Sequence, residues 1–152
     1  VLSPGSTYTE DFPAVAESVP RARTAIGCFA LAAGADEEQV DAIRLAASEA
    51  VTNVVVHAYE EGKNGRIRVS ASYVPGELWL FVEDDGVGLQ GSTHPGGLGV
   101  GLVLIAQLAS SFQIVRRANG GTQLQMRFKL RVGSAAAESR PQTADGAALS
   151  PA

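Results

Sequence analysis

The sequence predicts an α+β fold, a two-layer α/β sandwich whose mixed, mostly antiparallel sheet carries its helices on one face. Three observations lead to it. Apolar residues recur at steps of three and four through Val40, Ile43, Ala47, Val51, Val54 and Ala58, the period of a helix. From Ile67 the period changes to two, with Val69, Ala71 and Tyr73 alternating with more polar residues. Glycine-bearing turns then fold two pairs of such segments back on themselves, giving the order helix, helix, hairpin, helix, hairpin.

Each element has its own signal. Residues 1–9 are rich in Ser, Thr, Pro and Gly and read as a flexible N-terminus. A first helix opens near Ser18 and Pro20, runs through the apolar stretch Ala25 to Ala33 and stops at Gly34. Asp36, Glu37 and Glu38 suit the positive end of a second, longer helix, which ends before Gly62. Pro75-Gly76 turns the strand from Ile67 into a second strand over Leu78 to Val82. A glycine-rich stretch from Gly86 to Gly101 precedes a third helix, Leu102 to Ala109. Phe112 to Arg116 and Gln123 to Leu130 pair across Asn119-Gly120-Gly121. Residues 133–152 hold no large apolar residue except Leu149 and read as a disordered tail, leaving one domain over residues 10–132.

Composition narrows the function. With 45% hydrophobic and 18% charged residues in a chain of 152, a disordered or collagenous protein is set aside. Twelve basic against sixteen acidic side chains, a net charge of −4, supply no general attraction to nucleic acid or an anionic membrane. No apolar run approaches the ~18 residues of a membrane span, and no basic-then-apolar leader opens the chain, so a cytoplasmic protein is expected. The one cysteine, Cys28, can close no intrachain disulfide and reads as a buried small hydrophobe in a reducing compartment. Charge is uneven: residues 10–61 carry ten acidic and three basic side chains, residues 86–137 five basic and none acidic. The second half of the core is therefore expected to tolerate or attract an anion.

Three short motifs carry chemistry. Glu49, Asn53 and His57 follow one another at steps of four on the second helix, a row beside the apolar stripe that can line a cleft. A carboxylate there can serve as a general base and an Asn amide oxygen as a hard ligand for magnesium. Either could also be part of a merely solvated face. Asp84-Asp85-Gly86-Val87-Gly88 stands where a strand runs out, so an acidic side chain can accept from an amino group such as that of adenine, while Gly86 and Gly88 let backbone pass close to a ligand. Gly96-Gly97-Leu98-Gly99-Val100-Gly101 directly precedes the third helix, where exposed N–H groups at the positive dipole end suit a phosphate.

Better-known motifs do not fit. Gly86 to Gly91 matches G-x-G-x-x-G, yet no helix opens at those glycines and no acidic residue lies between Asp85 and Glu138, against a dinucleotide fingerprint. No lysine follows the second glycine cluster, so it is not a P-loop, and G-x-S-x-G, H-E-x-x-H and H-R-D are missing.

In their order, the three motifs resemble the N, G1 and G2 boxes of the Bergerat-fold (GHKL) ATPases, the superfamily of gyrase, heat-shock chaperones and sensor histidine kinases. The stretch E-A-V-T-N-V-V-V-H-A-Y from Glu49 to Tyr59, the brief linker from Gln90 to Gly96 and the small size resemble the bacterial anti-sigma-factor serine kinases of the RsbW and SpoIIAB kind, over about residues 10–131. The resemblance implies a cofactor set of ATP and Mg2+, with Glu49 as the general base and Asn53 as the magnesium ligand. It implies that Asp84 binds the adenine amine, that Gly86 and Gly88 shape that pocket, and that Gly97, Gly99 and Gly101 lie near the phosphates. Thr122, in the family's G-T position, would support the adenine site, and His57 is either pocket wall or a structural residue. Ser110-Ser111 departs from the acidic residue many relatives have there, which bears on partner specificity more than on nucleotide binding.

The implied reaction is γ-phosphoryl transfer to a serine or threonine of a STAS-domain anti-anti-sigma antagonist, within a partner switch that also engages a sigma factor, by a protein that forms homodimers. An alternative is an ATP-binding switch module, with little or no kinase activity, controlling a phosphatase or another STAS-containing complex.

Overall fold

The computed structural model describes residues 1–59, 63–87 and 99–131. Eight elements follow in chain order: β1 (Thr7–Pro13), α1 (Ser18–Ala32), α2 (Glu37–His57), β2 (Arg66–Val74), β3 (Glu77–Asp84), α3 (Gly99–Leu108), β4 (Ser111–Arg116) and β5 (Thr122–Lys129). The strands form one sheet in the order β1-β2-β3-β5-β4, and every pairing in it is antiparallel. Among the described residues no helix is long and apolar enough to cross a membrane.

Period two sorts β2, β3 and β5 between two environments. Ile67, Val69 and Ala71 of β2, Leu78, Leu80 and Val82 of β3, and Leu124, Met126 and Phe128 of β5 are buried against Ile26, Ile43, Ala47, Val51 and Ile105 of the helices. Each fully buried large aliphatic side chain contributes about 1.5–3 kcal/mol, so this inner face holds the two layers together. The opposite face carries Glu77, Trp79, Phe81 and Glu83, all half-buried. There the Trp79 and Phe81 rings stack at 6.3 Å, and the Arg127 guanidinium lies 5.7 Å from the Trp79 ring centre.

The helix ends are chemically specified. Asp36 caps α2: its Oδ1 accepts the Gln39 N–H at 2.9 Å, and the Gln39 side chain accepts the Asp36 N–H at 3.4 Å. α1 closes with the Ala35 N–H donating to Ala30 O and the Gly34 N–H to Leu31 O, and Gly34 sits at φ +90°, which only glycine adopts without strain. Ser18 opens α1 without capping it, since its hydroxyl donates instead to Pro13 O at 2.6 Å and ties the helix to β1.

Four expectations change. Thr7 to Thr9, assigned by composition to a flexible N-terminus, belong to β1, an edge strand of polar residues with only Phe12 fully buried, in which Tyr8 pairs with Ala71 and Phe12 with Ile67. An edge strand needs only one apolar side, so its composition resembles a loop. Cys28 is exposed, because the buried positions Ala22, Ile26, Phe29 and Ala30 turn residue 28 outward. The basic second half is engaged with carboxylates: Arg117 pairs with Glu83 and Asp85, Arg127 with Glu77, and Arg131 with Asp36 and Glu38. The third helix also starts earlier than the apolar pattern indicates, taking in Gly99 and Gly101. Residues 133–152 lie outside the described residues, as does Gly62.

Candidate functional site

The second helix supplies one wall. Its buried stripe runs through Val40, Ile43, Ala47, Val51 and Val54, which leaves Glu49 half-buried at its flank and turns Asn53 inward to 7% exposure. The start of α3 packs on this row: a Cβ at Gly101 would stand 2.8 Å from Glu49 Oε2 and 3.4 Å from Asn53 Oδ1. Glycine at this position thus lets a helix N-terminus approach closely, bringing together a carboxylate, an amide oxygen and the positive end of a helix dipole. Gly99 has open space around it. Gly88 and Gly97 lie outside the described residues.

The sheet supplies the other wall. Alternation along β3 puts Asp84 on the inner face after Leu78, Leu80 and Val82, so a carboxyl stands where the core pattern calls for an apolar side chain, and it is 3% exposed. Its Oδ1 accepts the Gly86 N–H at 2.9 Å, and the backbone of Thr122 donates to it as well. Burial pushes the Asp84 carboxyl above the usual carboxylate range, although both backbone hydrogen bonds and the Arg117 charge favour the ionised form. Thr122, the first residue of β5, is buried beside it.

Close backbone approach joins the walls. A Cβ at Gly86 would overlap the carbonyl oxygen of Ala58, the residue that caps α2, and that oxygen accepts the Val87 N–H at 2.9 Å. A Cβ at Gly121 would overlap the carbonyl oxygen of Asp84. From Ala58 back to Glu49, α2 extends about 13 Å at 1.5 Å per residue. The Asp84 end and the Glu49 end of the site therefore stand apart along one helix. His57 is half-buried in the last turn of α2, between them.

The site suits a nucleotide with a divalent cation. Asn53 Nδ2 is buried and has no hydrogen-bond partner among the described residues, which fits an amide whose partner is a ligand. Those residues hold no cluster of three or more His, Cys, Asp or Glu side chains, so a magnesium ion on Asn53 would draw further oxygens from phosphate and water.

Sequence reasoning missed what surrounds Asp84. Tyr59 OH donates to Arg66 O at 2.6 Å and accepts the N–H groups of Arg66 at 3.2 Å and Asp85 at 3.0 Å. Arg117 Nη1 donates to Asp84 O at 3.1 Å and to Asp85 Oδ1 at 2.6 Å. No local spacing signals these contacts, although a glycine pair at Gly120-Gly121 marks where backbone approaches backbone.

Residues 12–128 match the model of the histidine kinase-like ATPase domain. An anti-sigma F factor of Clostridium kluyveri is 30% identical over 117 residues, covering 70% of this chain and 82% of the relative. An anti-sigma F factor of Shouchella clausii is 35% identical over 78 residues, covering 51% of this chain and 53% of the relative, so the alignment reaches about half of that protein's length. A crystal structure of the RsbU and RsbW domains of a Mycobacterium tuberculosis protein superimposes with a TM-score of 0.66 at 25% identity, covering 84% of this chain and 32% of that one.

Proposed function

From the premise that the chain belongs to the histidine kinase-like ATPase domain family, we propose that it is an ATP-dependent serine/threonine protein kinase acting as an anti-sigma regulatory factor. Its substrate in this reading is a STAS-type anti-anti-sigma antagonist, and its second partner a sigma factor. The observation that carries the reading is the meeting of Glu49, Asn53 and the α3 N-terminus at Gly101. A binding module needs the helix end and the ligand amide but has no use for a carboxylate beside them. A kinase needs all three.

In this reading each residue has a role that its position supports. Asp84 accepts the adenine amine and fixes the base. The N–H groups at the start of α3 face the phosphates. Asn53 offers its amide oxygen to a magnesium ion, which when bound neutralises phosphate charge. Glu49 takes the proton of the acceptor hydroxyl as its oxygen bonds to the γ-phosphorus and the bond to the bridging oxygen of ADP breaks.

Capture from lysate with Mg·ADP and, separately, with Mg·ATP, followed by mass spectrometry, identifies the acceptor. The expected result is a STAS protein that gains phosphoserine or phosphothreonine under ATP. With that acceptor, Glu49→Ala should lower phosphotransfer about a hundred- to ten-thousand-fold while ADP affinity stays near wild type. Unchanged phosphotransfer would remove Glu49 from the role. ATP binding that moves partners without any phosphate transfer would make the domain a switch module instead.

A further inference from the structure

Asp84 can discriminate a base only if its carboxyl points in one direction, and that direction is set by the backbone of residues 84–86. Nothing in β3 itself fixes this turn, because the strand ends at Asp84. The fixing groups come from elsewhere. Arg117 Nη1, from the turn between β4 and β5, reaches both the carbonyl of Asp84 at 3.1 Å and Oδ1 of Asp85 at 2.6 Å. Asn119 Nδ2 donates to the same Oδ1 at 2.9 Å, and Arg66 Nη2 from β2 lies 3.4 Å from Oδ2. The Asp85 N–H is held by Tyr59 OH at 3.0 Å.

The turn that carries Arg117 is itself braced. Gly120 N–H donates to Arg117 O, Arg117 N–H to Gly121 O, and Gly121 N–H to Asn119 Oδ1 at 3.2 Å. Gly121 lies so close to Asp84 O that a side chain there would collide with it. Burial alone would push the Asp85 carboxyl up, but hydrogen bonds from Asn119 and Arg117, the Arg117 charge and the Arg66 hydrogen bond together hold it below the ordinary carboxylate range. Asp85 is thus an anion with donors on both oxygens. Exposed ion pairs taken singly add little to stability. Several converging on one turn fix geometry.

We infer that Arg117, Asn119 and Asp85 form a positioning clamp that aims Asp84 at the base, so that nucleobase selectivity depends on side chains that do not themselves touch the nucleotide. This inference rests on the reading of Asp84 as the adenine-binding carboxylate. Arg117 and Asn119 are positioning residues, acting through the Asp84–Gly86 turn.

The test measures Kd for ADP and for inosine diphosphate, which lacks the exocyclic amine, by calorimetry, with the thermal midpoint of each variant recorded. Arg117→Ala should weaken ADP binding about tenfold, bind inosine diphosphate nearly as before, and so shrink the ratio between the two. Arg117→Lys, which keeps one donor, should recover part of that ratio, and Asp85→Asn should shrink it independently. Arg117 lies in a turn outside the core, and a normal thermal midpoint shows that Arg117→Ala has folded. A loss shared equally by both nucleotides, or an unchanged ratio in both Arg117→Ala and Asp85→Asn, overturns the clamp. Asp84→Asn separates the two levels. If it abolishes discrimination while the clamp variants do not, the clamp alone fails; if it leaves discrimination intact, the reading of Asp84 fails and the clamp with it.

Discussion

Asp84 is a charged residue at a core position, and its chemistry follows from that conflict. A carboxyl in an apolar wall is held above its ordinary value of 3.8 by desolvation, against the pull of the Gly86 and Thr122 N–H groups. The ionised form accepts more strongly from an amine such as that of adenine than the protonated carboxyl, which keeps one carbonyl acceptor. Acidification should therefore weaken ADP binding at a higher pH than an ordinary aspartate would, and Asp84→Asn should remove that part of the pH dependence. Calorimetric titrations of both proteins from pH 7 to pH 4.5 check this, and superimposable profiles would count against it. At this scale the placement of the candidate residues is legible wherever residue type and local spacing coincide, as for Glu49, Asn53 and Asp84. That of Arg117 and Asn119 is not, because they act on Asp85 from 32 and 34 residues away and no short pattern encodes such a contact.

The elements repeat that division. Both long helices and both hairpins announce themselves through period and punctuation. Pro75-Gly76 gives a two-residue turn with Gly76 at φ +79° between the paired Val74 and Glu77. β1 does not announce itself, since its register comes from hydrogen bonds to β2 rather than from any strong alternation of its own. Gly34 makes a sharper case: its left-handed conformation completes the α1 cap, with nothing near enough to obstruct a methyl group. Gly34→Ala should then cost about 1 kcal/mol of stability from backbone strain alone, read as a lower urea midpoint at unchanged slope. A neutral result would mean that the cap relaxes to another conformation.

Across the whole molecule, arginines stitch distant segments together. Arg131 joins the end of β5 to the start of α2 through Asp36 at 2.8 Å and Glu38 at 2.7 Å, and Arg68 joins β2 to β1 through Asp11. The Arg131 hydrogen bond lowers the Asp36 carboxyl, and the Arg68 hydrogen bond lowers that of Asp11. Each depressed carboxyl contributes stability that is complete above the ordinary value of 3.8 and is lost as pH falls through the folded value. Asp84 has the opposite sign: its raised value favours the folded state at low pH, and that contribution fades as pH rises through it. Arg131→Gln should flatten the acid limb of the stability profile, measured by thermal unfolding from pH 6 to pH 2.5. An unchanged limb would show that Arg131 is not what lowers Asp36.

The two faces of the sheet have one more consequence, for observing the protein at work. Trp79 is the chain's single tryptophan, and period two sets it on the face opposite Leu78, Leu80 and the buried Asp84. Its emission should thus report unfolding and changes at the outer face of the sheet rather than at the inner face that buries Asp84.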